Sequence, residues 1–520
     1  MKRMHLRSAV LLCCLVVSVG SAVIFWKARV GVDDAYISYR YALNLFDGLG
    51  LVYNPGERVE GYTNFLYVLL MACGFLFTDA HGIFAFSFFV NLVFACGSLG
   101  VFCWWLRREY GERVAVAGAL VFAFNMSLYY WVSSGMETIA VLLTQQLIWI
   151  ATEIVCERSS ARRWWALLCV ATVVSVLLRA DGFIVPIFAV LYLMCKNEWK
   201  GATALAVVLA TATAGLIVWR YQYYGYPLPN TYYAKVDGPL GARTLMAGKL
   251  LLTSSFATGL ILPVIALFAS AAGYLVAVAK GLRPSGIASK WFHLLLGVGL
   301  IVYWIYVGGD HYKERFLLLL FPLGFVACMD FRHVTSRRWA LAAMTIGFIL
   351  LQMRPFDAPH GWWRPLSGQY FSLPKAGEVL GKTYPGATMA TDLAGMVPYY
   401  SKLWAVDIVG LTDLHIARSP AVAFEQGWAR PGHLKADIPY TLSLNPTMIV
   451  CWIHWRMTAG ILHASDAYVQ AGYKLKCVVN MTPDSEQGKE IVDVENLPSD
   501  EVQQLVSGGY RLGVLLKTPN

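Results

Sequence analysis

The sequence predicts a polytopic α-helical membrane domain of about eleven spans, followed by an α/β domain. Composition is the first reason. With 57% hydrophobic and 14% charged residues, the chain carries far less charge than the roughly one quarter usual in soluble domains. The second is that long apolar runs recur from the N-terminus to about residue 352, as membrane-crossing helices require. The third is the change beyond that point. Residues 353–520 are mixed, contain Pro and Gly, and hold no spanning run. The boundary separates a membrane domain, 1–352, from a C-terminal domain, 353–520, of ordinary size.

The first span begins like a secretory signal: basic "MKRMHLR", an apolar stretch, then "GSA". Its apolar run continues to Trp26, about 18 residues, long enough to cross. It reads as a retained helix with its N-terminus in the cytoplasm. Further spans are expected at 83–105, 114–131, 138–156, 164–178, 183–196, 203–220, 256–279, 291–307, 316–330 and 339–352. The apolar piece 64–78, "NFLYVLLMACGFLFT", is decided by parity. If it dips in without crossing, the basic loops at 107–113, 157–163, 196–200, 280–290 and 330–338 all face the cytoplasm, as the bias of Lys and Arg toward the inside demands. Eleven spans follow, with a first external loop at 27–82 and the C-terminal domain outside.

The net charge of +10 therefore anchors cytoplasmic loops, and nucleic acid is excluded as a partner. Of eleven cysteines, nine lie in or beside apolar segments without metal-ligand spacing. Cys451 and Cys477 fall in the C-terminal domain, where an oxidising compartment would allow a disulfide.

The same topology gathers the polar motifs on the external face. "GVDDAYISYR" and "GERVEGYTN" in the first loop are joined there by "SSGMET", "LRADGF", "YYGYPLPNTYYAKV" and "GGDHYKERF". Ionisable groups beside hydrocarbon are expensive, so they pair or serve a function. Adjacent acids at a helix end have little structural use, which makes Asp33 and Asp34 the candidate catalytic pair. Arg40, Arg58, Arg179, Lys235, His311, Lys313 and Arg315 could hold a phosphate at headgroup level. Tyr36, Glu60, Tyr62, Asn64, Glu137, Asp181, Asn230 and Asp310 supply ring faces and hydrogen-bonding groups suited to sugar. Duller roles compete: a juxtamembrane Arg also anchors at the interface, tyrosines form aromatic belts, and "NPGER" is a turn. The combination fits a reaction on a lipid-linked sugar phosphate.

At these residues the chain resembles the bacterial terminal arabinofuranosyltransferases, membrane enzymes of the glycosyltransferase-C superfamily. The stretch "DDAYISYRYALNLFDGLGLVYNPGERVEGYTNFL" carries the resemblance most specifically; "SGMET", "LRADG", "GDHYKERFLLLLFP" and "TDLAGMVPYYS…VDIVGLTD" follow in family order. The resemblance implies a glycosyltransferase-C-like fold, a polyprenyl-phosphoryl arabinofuranose donor used on the periplasmic side of the bacterial inner membrane, and a glycan or protein acceptor. It also implies an acid of the first external loop at the catalytic centre, here Asp33 and Asp34. Asp33 is expected at the acceptor hydroxyl or the anomeric carbon, with Asp34 orienting it or binding a cation. A divalent cation is compatible with this reading although no ligand spacing calls for one, and no other cofactor is implied.

In the C-terminal domain, Trp362 and Trp363 could anchor at the interface or stack on sugar. "GATMATDLAGMVPYYSKLWAVDIVGL" reads as strand, helix, strand, and "PTMIVCWI" and "YKLKCVVN" as further strands. Asp392, Asp407, Asp413 and His433 sit by loops where they could meet an acceptor. Two rival functions remain. A related transferase of mannose or an aminosugar fits the same residue types. A lipid-linked sugar transporter would need polar residues at mid-membrane or repeated halves, and the sequence shows neither.

Overall fold

A computed structural model describes residues 6–28, 31–157, 162–280, 291–331, 337–353, 372–423, 429–453, 467–480, 491–507 and 510–517, with single positions 334, 425 and 427. Trp362 and Trp363 lie outside the described residues, as does the side chain of Lys313.

The apolar runs fold as helices because their backbone groups find no other partner in hydrocarbon. In chain order these are α1 (Leu6–Ala28), α2 (Asp33–Phe46), α3 (Phe65–Gly74), α4 (Ile83–Tyr110), α5 (Glu112–Ala123), α6 (Met126–Val132), α7 (Thr138–Glu157), α8 (Arg162–Leu178), α9 (Ile184–Cys195) and α10 (Trp199–Tyr224). There follow α11 (Asn230–Lys235), α12 (Leu240–Thr258), α13 (Ile261–Ala279), α14 (Phe292–Val307), α15 (Leu320–Met329) and α16 (Arg338–Met353). Each expected span coincides with a helix or a helix pair. Among the described residues, α1, α4, α7, α10 and α13 are long and apolar enough to cross by themselves. The pair α5–α6 makes a sixth, bent by 58°. The bend has a local cause: the Asn125 side chain accepts from Leu128 N at 3.2 Å and so caps a new helix. The other expected spans, α8, α9, α14, α15 and α16, are helices of 17, 12, 16, 10 and 16 residues. The ten residues of α3, like the ten of α15, rise only about 15 Å, less than the ~30 Å hydrocarbon core. Helix α12 was not anticipated, because its apolar residues are broken by Arg243 and Lys249.

The chain divides into two compact units. The helical unit comprises Met1–Ile24, Phe88–Trp219 and Arg243–Gly361; the mixed unit comprises Phe25–Ser87, Arg220–Ala242 and Trp362–Asn520. The first loop thus falls in one unit with the C-terminal α/β domain, where the sequence division at 352 separates them.

The α/β domain adds α17 (Leu373–Thr383), α18 (Met396–Ser401), α19 (Leu414–Arg418), α20 (Ile438–Ser443) and α21 (Ser499–Ser507) to six strands. These are β1 (Thr388–Thr391), β2 (Trp404–Asp407), β3 (Met448–Trp452), β4 (Tyr473–Asn480), β5 (Ile491–Asp493) and β6 (Tyr510–Lys517), ordered β2-β1-β3-β6-β4-β5. Strand β1 is parallel to β2 and β3, whereas β6 runs antiparallel to β3 and β4. The anticipated β1–α18–β2, β3 and β4 are all present. Ala390, Val406, Ile449, Cys451, Tyr468, Tyr473 and Leu515 form part of one core. The Cys451–Cys477 pairing is ruled out by register. Cys451 faces Gly513 and Cys477 faces Val514, on opposite sides of β6. Two strand spacings are about 9.6 Å, beyond the ~6.8 Å a disulfide bridges.

Candidate functional site

The mixed unit contains Asp33 and Asp34 at the start of α2. Two acids in a first helical turn complement the helix dipole, but their surroundings differ. Asp33 is buried, and its carboxylate accepts from Gly395 N at 3.0 Å and Met396 N at 2.7 Å. It therefore holds the first free amides of α18. Asp34 is half-buried, and among the described residues its carboxylate has no hydrogen-bond partner.

Arg40 lies seven residues after Asp33, on the same face of α2 two turns on. Its Nε donates to Tyr53 O at 2.7 Å, Nη1 to Pro398 O, and Nη2 to Leu403 O at 2.8 Å and Asn54 Oδ1 at 3.1 Å. Asp33 takes the amide end of α18 and Arg40 the carbonyl end, so each charge meets the dipole end it favours. Arg40, expected on a donor phosphate, is instead spent on carbonyls and an amide oxygen. Asn54 completes the attachment. Its Nδ2 donates to Ala405 O at 2.9 Å and its Oδ1 accepts from Ala405 N at 3.1 Å. A side-chain amide thereby pairs with edge strand β2 as a neighbouring strand would. Tyr53 OH donates to Ala394 O at 2.6 Å.

More carboxylates surround the β1 and β2 ends. Burial pushes Asp33 up to about 7; the Met396 and Gly395 amides oppose the rise, and Asp34 and Asp407 reinforce it. Burial also lifts half-buried Asp392 to about 7, with Asp33 and Asp407 adding to it. Asp407, which accepts from Val409 N and Thr412 N, is raised by burial to about 6. Glu60 is raised by burial to about 7, against the pull of Arg220, whose Nε lies 2.9 Å away. In an unfolded chain these groups ionise near pH 4. Between about pH 4 and 7 the folded state therefore binds more protons, and stability falls as pH rises through that window. The midpoint of thermal unfolding in detergent is expected to drop from pH 5 to 7.5 and then level; a midpoint that climbs over this range contradicts the assignment.

The other sugar-facing candidates of this unit mostly bond to protein. Asn230 Nδ2 donates to the carbonyls of Gly410, Leu411 and Asp413, while its Oδ1 accepts from Arg418 Nη1. Arg418, unforeseen in the sequence, is stacked between the rings of Tyr226 at 3.9 Å and Tyr233 at 4.4 Å. Tyr62 OH meets Tyr224 OH at 3.1 Å, and Asn64 Oδ1 accepts from Ser38 Oγ. Tyr36 packs against Tyr39, Tyr399 and Tyr400. His433 is half-buried beside the Pro431 carbonyl. Two cations are more available. Arg58 is exposed, its guanidinium 4.8 Å from the Tyr223 ring centre. Lys235 is half-buried, with no ion-pair partner among the described residues.

In the helical unit the remaining candidates form a second cluster. Fully buried Glu137 accepts through Oε1 from Arg179 Nη1 at 3.1 Å and from Arg315 Nη2 at 2.6 Å. Arg179 also pairs with Asp181 at 2.7 Å. Burial opposes ionisation of Glu137, yet Arg315 and Arg179 hold its carboxyl down to about 2. Asp310 accepts from Tyr312 N, and His311 is exposed beside the Tyr312 ring. A cavity of about 20 Å³ is lined in part by Thr138, Gln145, Arg179, Asp181, Tyr303 and Arg315. That is room for about one water. Both guanidiniums are neutralised by carboxylates, which leaves them little attraction for an anion. Among the described residues, no group of three or more His, Cys, Asp or Glu could hold a metal ion.

The sequence missed Gly395 as a partner of Asp33, and Tyr53 and Asn54 as partners of Arg40 that also bond Ala394 and Ala405. Asp33 and Arg40 are legible as charges of one helix, but their partners around α18 lie hundreds of positions away.

Comparison with solved structures defines the class. The crystal structure of ArnT from Cupriavidus metallidurans bound to undecaprenyl phosphate shares this fold with a TM-score of 0.53 and 12% identity, over 97% of this chain and 99% of that one. An Archaeoglobus fulgidus oligosaccharyltransferase, in complex with Zn and sulfate, gives 0.56 and 12% over 95% and 74%. The chain is a multi-pass membrane protein with the glycosyltransferase-C fold and a small C-terminal sheet domain. In sequence it is similar to the terminal β-(1→2)-arabinofuranosyltransferase of Mycobacterium tuberculosis, 25% identical over 367 residues, which bears out the resemblance found in its motifs. The match covers 62% of this chain and spans 57% of that relative's length. Residues 363–487 match a domain family of unknown function, DUF8728.

Proposed function

We propose that this protein transfers a sugar, arabinofuranose, from a polyprenyl-phosphate carrier to a hydroxyl of a cell-envelope glycan or surface protein on the periplasmic side of the inner membrane. The observation that carries this reading is the acid doublet: a half-buried carboxylate, Asp34, without a hydrogen-bond partner among the described residues, held beside a fixed one, Asp33, in a fold shared with a polyprenyl-phosphate-bound protein. The similarity to an arabinofuranosyltransferase supports the choice of sugar. Positive charge in the short loops supports a cytoplasmic face opposite the site.

In the reaction, a carboxylate of the doublet takes the acceptor hydroxyl proton as that oxygen bonds to the anomeric carbon. The bond from that carbon to the phosphate oxygen breaks, and its electron pair leaves with the polyprenyl phosphate. Lys235 and Arg58 are the cations of the mixed unit available to that phosphate. The likeness to ArnT favours a second reading, transfer of a different sugar from the same kind of carrier.

The test is transfer by purified full-length protein from labelled polyprenyl-phosphoryl arabinofuranose, run against the mannose and aminosugar equivalents with glycan and protein acceptors. Arabinofuranose is expected to be transferred at least about tenfold faster, the scale at which pocket contacts discriminate. Equal or preferred use of another sugar replaces the arabinose reading, and no transfer from any carrier removes the activity.

A further inference from the structure

The doublet invites the assumption that its two carboxylates do one job, and their surroundings contradict it. Asp33 has both oxygens bonded to backbone amides of the α/β domain, at 3.0 and 2.7 Å. Those two bonds and its burial hold the Asp33 carboxylate against α18 and away from solvent, although each oxygen keeps a further lone pair. Its next neighbour, Asp34, has no such bonds among the described residues and reaches partly to the surface. Around Asp33 the attachment is extensive: Arg40 to Pro398 and Leu403, Tyr53 to Ala394, and Asn54 to both backbone groups of Ala405.

We propose that the doublet is divided: Asp33 is a positioning residue that docks the loop on the α/β domain, and Asp34 is the carboxylate that meets the substrate. The α/β domain is then part of the transfer centre, because it fixes the helix end from which Asp34 projects; Arg40 and Asn54 are positioning residues of the same kind. The division rests on the transferase reading above, but its structural half can be tested without it. Positioning matters on this scale, since misplacement by about 1 Å can cost on the order of 10²-fold in rate.

The test uses four full-length variants. Asp33→Asn keeps an acceptor oxygen for one of the two amides, and the raised proton affinity of Asp33 makes a neutral side chain a fair mimic. It is expected to retain kcat within about tenfold of the wild type, with KM values unchanged, one hydrogen bond being lost. Asp34→Asn is expected to lower kcat by roughly 10²–10⁴-fold, the usual share of a positioned acid or base. Without any activity readout, Asp33→Ala should lower the unfolding midpoint by about 3 °C or more, while Asp34→Ala leaves it unchanged. A folded Asp33→Asn as inactive as Asp34→Asn overturns the division. So do equal midpoints for the two alanine variants. If the wild type transfers nothing, the transferase reading fails, and the midpoints still decide which acid docks.

Discussion

Replacing Gly395 by alanine is expected to abolish transfer and to destabilise the mixed unit. A Cβ at this position would lie 1.9 Å from the Asp33 carbonyl oxygen and 2.7 Å from its carboxyl carbon. The nearest obstacle is backbone and cannot rotate away, so α2 and the β1–α18 turn must part. Parting them breaks the Asp33 bonds to Gly395 and Met396. Overpacking together with two lost hydrogen bonds amounts to about 3–5 kcal/mol. Thermal unfolding in detergent and the transfer assay read the two effects. A folded, fully active Gly395→Ala protein would show that the close approach is dispensable, and with it the docking of the first loop on the sheet.

A comparable loss is expected in the helical unit from Glu137→Gln. The glutamate is fully buried and balances two guanidiniums, Arg179 and Arg315, that are themselves 8% and 7% exposed. Glutamine keeps an acceptor but removes the charge. Arg179 still has Asp181, whereas Arg315 loses the only carboxylate bonded to it among the described residues. Breaking a buried pair in this way costs about 3–5 kcal/mol, much of it from the unpaired charge left behind. The double variant Glu137→Gln with Arg315→Gln should therefore be more stable than Glu137→Gln alone, since neighbouring sites of one network are not additive. Unfolding midpoints of the three proteins check this; a double variant that loses the sum of both single effects would refute the pairing.

Much of the architecture was legible in the sequence because it is local. Apolar runs become helices wherever water is excluded, and alternating or β-branched runs such as "TMIVCW" become strands. That α3 would be a short helix, here of ten residues, could be foreseen from the length of its apolar run. The candidate residues were legible as a set but not as roles. Arg40 reads as a phosphate ligand by type, yet besides the Tyr53 carbonyl it bonds those of Pro398 and Leu403, 358 and 363 residues away. Arg179 and Arg315 read likewise, yet a buried glutamate occupies both. Cys451 and Cys477 looked like a pair until register placed β6 between them.

By itself, the sequence determined the membrane class, the helical and α/β composition, and the acid doublet at a helix start, since each depends on neighbours within a few turns. The tertiary structure alone decided which acid of the doublet is bonded. That choice depends on amides 362 and 363 residues distant, and only folding brings such groups within the 3 Å over which a hydrogen bond acts.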